Sequence, residues 1–110
     1  KTLADVCWKI ILNNKKIFQL NREKVPIFHY SDCGSASWYD VAASIKEFCV
    51  ELNMFNKYAN IKPILSKNYK TLTLRPNFSL LDNSKIRKYI DIPYIHWRES
   101  IKNCFNKRDK

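Results

Sequence analysis

Glycine is almost missing from this sequence: Gly34 is the only one in 110 residues. A dinucleotide-binding G-x-G-x-x-G and a phosphate-cradling G-x-x-x-x-G-K-[ST] each need at least two. The chain therefore carries no standard nucleotide loop of its own. Long apolar runs are missing too; none approaches the ~18 residues of a membrane span, and nothing resembles a signal peptide. The four cysteines, Cys7, Cys33, Cys49 and Cys104, show neither C-x-x-C nor C-x₄-C spacing, which argues against a zinc framework. Histidine is scarce. His29 and His96 have no further His, Cys or carboxylate at ligand spacing, so no metal site is expected. Nothing near Cys33 would activate its thiol, and nucleophilic catalysis finds no support.

What remains suits a packed globule. Hydrophobic residues make up 45% and aromatics 14%. A chain of this length buries roughly two-thirds of its unfolded surface, and 1–110 reads as a single unit. The net charge is +10, and residues 83–110 hold eight basic against three acidic residues. No run of five like charges occurs, so the charge reads as that of a lysine- and asparagine-rich soluble surface. Basic and aromatic residues interleave from Tyr89 to Arg98, a pattern that suits single-stranded nucleic acid. No signature of a nucleic-acid-binding fold accompanies it.

Apolar spacing predicts a helix over 2–14, with Leu3, Val6, Cys7, Ile10 and Ile11 forming one inward stripe. Residues 25–30 read as a strand buried on both faces, followed by a loop around Gly34. The strongest helix spans 37–53. Ser37 and Asp40 form a capping box, and Trp38, Val41, Ala42, Ile45, Phe48, Cys49 and Leu52 face inward. A short strand at 61–65 is weakened by Pro63. Residues 77–81 read as briefly extended. A short helix begins at Asp82 or Asn83, and the last spans 96–105 with Trp97, Ile101, Cys104 and Phe105 inward. This alternation indicates an α/β or mixed α+β unit with several helices and two or three short strands. Cysteines on inward faces imply free thiols in a reducing, cytoplasmic setting.

Two local motifs carry chemistry. Tyr58-Ala-Asn-Ile-Lys62 matches Y-x-x-x-K, a proton-donor pair that works when both residues lie on one helix face. Tyr58 falls past the helix end and Lys62 stands beside Pro63, so the match reads as chance. Arg75-Pro76 ends an irregular loop, where an arginine's planar fork suits bidentate contact with a diphosphate.

Four segments in register resemble the dTDP-4-dehydrorhamnose reductase family. Thr2-Leu3-Ala4-Asp5 is similar to its helix after the substrate-loop region. Ile27-Phe28-His29-Tyr30-Ser31-Asp32 followed by Ser37-Trp38-Tyr39-Asp40-Val41-Ala42 resembles its strand and helix start. Arg75-Pro76-Asn77-Phe78-Ser79-Leu80-Leu81-Asp82-Asn83-Ser84-Lys85-Ile86 resembles its R-P-x-x-S-x-L-D-x-S-K-I segment. His96-Trp97-Arg98-Glu99-Ser100-Ile101 resembles its closing helix. In the preceding loop Tyr69, Thr71, Arg75 and Pro76 match, whereas Lys70 and Leu72 stand where the family has its inner prolines.

The family comprises extended short-chain dehydrogenases/reductases. They use NADPH or NADH to reduce the 4-keto group of a dTDP-6-deoxy-hexulose, giving dTDP-L-rhamnose. The resemblance implies the C-terminal, substrate-binding lobe of such a Rossmann-type enzyme, without the N-terminal half that carries the cofactor loop and the catalytic tyrosine. A first residue of Lys1 rather than methionine fits a chain that is processed, tagged or cut from something longer. The segment alone is expected to be inactive and to bind no cofactor. Arg75 would meet the diphosphate of the dTDP-sugar, with Tyr69 and Thr71 as neighbouring contacts. No membrane partner is implied. The strand at 25–30, lacking its sheet, invites self-association. Two rival readings are a small basic nucleic-acid-binding module and an interaction protein that retains the lobe without the enzyme.

Overall fold

In the computed structural model, which describes residues 2–18, 26–73 and 75–106, helices supply nearly all the regular structure. Five are α-helical: α1 (Thr2–Leu12), α2 (Asn14–Phe18), α3 (Trp38–Glu51), α4 (Ser84–Arg87) and α5 (Trp97–Phe105). A 3₁₀ turn spans Ser66–Asn68. The chain divides into two compact units. One comprises Lys1–Ser31 and Leu80–Tyr94; the other comprises Asp32–Ser79 and Ile95–Lys110.

The first unit is built around isoleucine. Val6, Ile17, Ile86, Ile90 and Ile92 are buried, with Ile10, Phe28, Tyr30 and Tyr89 packed around them. The helix expected over 2–14 is interrupted at Asn13, whose backbone N–H and side-chain Nδ2 both donate to the Lys9 carbonyl, at 3.0 and 2.8 Å. α2 then restarts the chain and brings Ile17 into the core. Only part of the inward stripe expected for α1 packs: Val6 is buried and Ile10 half-buried, whereas Leu3, Cys7 and Ile11 are exposed.

The strands expected at 25–30 and 61–65 do not form among the described residues, and Val25 lies outside them; residues 77–81, read as briefly extended, join no ladder there either. The one β interaction described is an isolated parallel bridge between Cys33 and His96. A strand persists only with ladder partners. In residues 26–31 side chains take the place of a neighbouring strand. The Asn83 amide copies a backbone partner: the Ser31 N–H donates to its Oδ1 at 3.0 Å, and its Nδ2 donates to the Ser31 carbonyl at 2.7 Å. Lys85 Nζ donates to the Ile27 carbonyl at 2.9 Å while lying over the Phe28 ring. Phe28 and Tyr30 turn toward the core, whereas Ile27 and His29 are exposed. That alternation is the period of a strand buried on one face rather than two.

Replacing Asn83 by alanine removes both half-buried hydrogen bonds at once and strands the Ser31 amide. The expected loss is about 1–2 kcal/mol, read as a lower midpoint in urea. Asn83→Asp, which keeps the acceptor and loses the donor, should fall between.

In the second unit, α3 begins as its sequence predicts. The Ser37 N–H donates to Asp40 Oδ2 at 2.7 Å, and the Asp40 N–H donates to Ser37 Oγ at 3.2 Å, completing the capping box. The Ser37 amide and hydroxyl hold the Asp40 carboxyl below its ordinary pKa. At the other end Asn53 closes the helix at φ +49°, and Tyr58 donates its hydroxyl to the Cys49 carbonyl at 3.0 Å. Tyr58 is thereby committed to the helix terminus and shares no helix with Lys62. Phe48, Cys49 and Ser44 are the buried residues of α3; Trp38, Ile45 and Leu52, expected inside, are exposed. The burial expected of the helical thiols holds for Cys49 and not for Cys7 or Cys104, which are exposed.

Candidate functional site

Charge pairs fix how α3 and α5 lie within the second unit. Arg98 pairs with Glu47 at 2.5 Å, and Lys102 pairs with Glu51 at 3.6 Å. Each partner is four residues on from the last, so the two helices run in the same direction. Arg98 Nη1 also donates to Ser44 Oγ at 2.7 Å, which satisfies the one buried polar side chain of α3. Both helix N-termini therefore share one end of the unit. The acidic residues Asp40 and Glu99 stand in their first turns and offset the two positive dipole ends.

Gly34 sits at that end with φ +89°. Beside it the Cys33 N–H donates to the Ile95 carbonyl at 2.8 Å, and the Trp97 N–H donates to the Cys33 carbonyl at 3.0 Å. A shallow cleft of about 370 Å³ opens there, lined by Ser35, Asp40, Ser44, His96, Trp97 and Arg98. Its polar groups are largely spent on one another. Asp40 is held by Ser37, Arg98 by Ser44 and Glu47, and His96 Nδ1 accepts from the Arg98 N–H. Trp97 Nε1 is the one buried side-chain donor among the described residues without a partner. The cleft is a junction that holds two helices and one loop together.

The three residues expected to touch substrate lie elsewhere in the same unit, on one exposed irregular segment after the 3₁₀ turn. The Tyr69 N–H donates to the Ser66 carbonyl at 3.1 Å, which ends the turn and leaves the ring exposed. Thr71 Oγ1 donates to the Thr73 carbonyl at 2.8 Å, pinning the following bend. Arg75 is exposed, and among the described residues no hydrogen bond, ion pair or ring contact holds its guanidinium. None of the three lines the cleft beside Gly34. Their segment thus carries an exposed cation without a partner among the described residues and an exposed, hydroxyl-bearing ring. Such groups suit the phosphates and ring of a sugar nucleotide.

Several other basic residues are already in use. Lys9 Nζ donates to the Asp91 carbonyl at 2.5 Å, and Arg87 Nη1 donates to the Ile92 carbonyl at 2.7 Å. The Arg87 guanidinium also stacks 3.6 Å from the Tyr94 ring centroid. Within 89–98 the His96 and Trp97 rings lie against each other, the Tyr89 ring meets Phe28 and the Tyr94 ring stays exposed. Among the described residues no group of three or more His, Cys, Asp and Glu could hold a metal, and no helix is long and apolar enough to cross a membrane.

The role of Arg98 is the feature that sequence reasoning missed. Its signal was present as a pattern: two carboxylates four apart on one predicted helix, and two cations four apart on another. Pairing them requires knowing that the helices are neighbours.

The family model for the RmlD substrate binding domain matches residues 1–109. A dTDP-4-dehydrorhamnose reductase from Aggregatibacter actinomycetemcomitans is 29% identical over 100 residues, covering 91% of this chain and 34% of its own length. The chain thus spans about a third of that curated relative. No solved structure matches.

Proposed function

The chain belongs to the RmlD substrate-binding domain family, and on that premise we propose that it forms the sugar-nucleotide side of a dTDP-4-dehydrorhamnose reductase. The observation that carries this reading is the family match over essentially the whole length, residues 1–109. In the intact enzyme a nicotinamide cofactor, NADPH or NADH, supplies hydride to the 4-keto carbon of a dTDP-6-deoxy-hexulose, and the product is dTDP-L-rhamnose. The chemistry belongs to a Rossmann portion; this chain contributes binding. Arg75 meets the diphosphate with its planar fork, and Tyr69 and Thr71 contact the nucleotide beside it. The exposed guanidinium of Arg75, without a partner among the described residues, supports that assignment. So does the scarcity of glycine, since this portion has no phosphate loop to build. A reducing cytosol suits its exposed free thiols, Cys7 and Cys104.

Calorimetric titration separates binding lobe from enzyme. The isolated chain should take up dTDP saturably and show no tight binding of NADPH. Tight NADPH binding would overturn the division of labour, and failure to take up dTDP would remove the lobe's function.

A further inference from the structure

Helix α1 is apolar on far more of its circumference than the first unit's core covers. Positions advance by about 100° per residue along an α-helix. Val6 and Ile10 face the core, and the polar positions Asp5 and Lys9 fall on one flank. The remaining arc, about 180° wide, carries Leu3, Ala4, Cys7, Trp8, Ile11 and Leu12. All six are exposed; Leu3 and Trp8 each show 61% of their surface, Ile11 57% and Leu12 66%. A helix apolar around most of its circumference is one buried on both sides, and an exposed apolar patch of this extent marks a contact surface.

We propose that this outward face of α1 is the docking surface for the rest of a reductase, meaning the polypeptide that corresponds to the part of the curated relative lying outside the match. This rests on the reading under Proposed function. Two observations select that occupant. The match covers only 34% of the relative's length, so a larger body of chain accompanies this portion there. A second copy of the present chain would instead set two charges of +10 against each other, and that self-repulsion opposes a homodimer. The partner offers an apolar surface to Trp8, Ile11 and Leu12, and it leaves Lys9, already bonded to the Asp91 carbonyl, at the rim.

Cys7 lies within this face and reports on it, while the exposed Cys104 on α5 serves as reference. The chain is compared by itself and fused to the uncovered portion of the Aggregatibacter actinomycetemcomitans reductase, with thiol labelling followed at each cysteine by mass spectrometry. In the fusion Cys7 should label about tenfold more slowly, and Cys104 at an unchanged rate. Trp8→Asp with Leu12→Asp should restore the Cys7 rate in the fusion without altering the thermal midpoint of the isolated chain. Mixing the two polypeptides repeats the comparison should the fusion not fold. Equal Cys7 rates in every setting overturn the proposal. So does Cys7 protection in the isolated chain that grows with its concentration, which assigns the face to a second copy. A chain that binds dTDP yet leaves Cys7 open defeats the docking surface alone; one that protects Cys7 yet ignores dTDP defeats the substrate reading alone.

Discussion

Gly34→Ala is expected to destabilise the second unit by about 2–4 kcal/mol, combining backbone strain with a contact that has no room. At φ +89° an L side chain is strained whatever surrounds it. A Cβ built there would also lie 2.5 Å from His96 Nε2, 2.8 Å from His96 Cδ2 and 3.0 Å from Trp97 Cδ1. The His96 ring could swing away, because it is exposed, but it would then release the α5 N-terminus that its Nδ1 caps. Urea unfolding of the wild type, Gly34→Ala, His96→Ala and the double variant separates the two costs. His96→Ala should relieve the crowding and leave the φ strain, so the double variant loses less than the sum of the singles. Additive losses would show that the ring does not restrict this site. A stability equal to wild type for Gly34→Ala would contradict the turn geometry itself.

Arg75→Ala, made in an intact reductase carrying this segment, is expected to raise KM for the dTDP-sugar by about tenfold to a hundredfold. That follows from the roughly 1.5–3 kcal/mol carried by hydrogen bonds to a charged group. Because the guanidinium has no partner among the described residues, the substitution removes no internal contact there, and stability should stay within about 0.5 kcal/mol of wild type. A contact made equally in ground and transition states changes KM and leaves kcat alone. Arg75→Lys keeps the charge and loses the fork, so it should recover only part of the affinity. An unchanged KM in Arg75→Ala would take Arg75 out of the site and leave Tyr69 and Thr71 without their anchor.

How much could be read beforehand depended on how local each feature is. The capping box of Ser37 and Asp40 formed as expected, because its donors and acceptors lie within one turn of chain. The helix at 96–105 forms too, with Trp97, Ile101 and Phe105 half-buried as expected and Cys104 exposed. The stripe on α1 was misjudged in its extent: the periodicity of Leu3, Cys7 and Ile11 identifies a helix face, but burial of that face requires a partner surface. The strand at 25–30 failed for the same reason. Its apolar residues are real, yet a ladder needs a second strand, and here Asn83 and Lys85 answer its backbone instead.

Functional residues divide along the same line. The pairing of Arg98 with Ser44 and Glu47 joins residues far apart in the chain. The commitment of Tyr58 to the Cys49 carbonyl depends on how the turn after α3 closes. Arg75 could be singled out from its segment alone, whereas its lack of a partner among the described residues appears only in the folded chain.

The sequence by itself determined the membership of this protein in a family of substrate-binding domains, the start of its long helix and the lack of a glycine-rich nucleotide loop within these 110 residues, all of which are written in contiguous residues. Tertiary structure alone decided which apolar faces stay open, which cations are spent and where glycine is indispensable. Burial, ion pairing and close approach are relations between distant segments, and their free energy exists only once those segments meet.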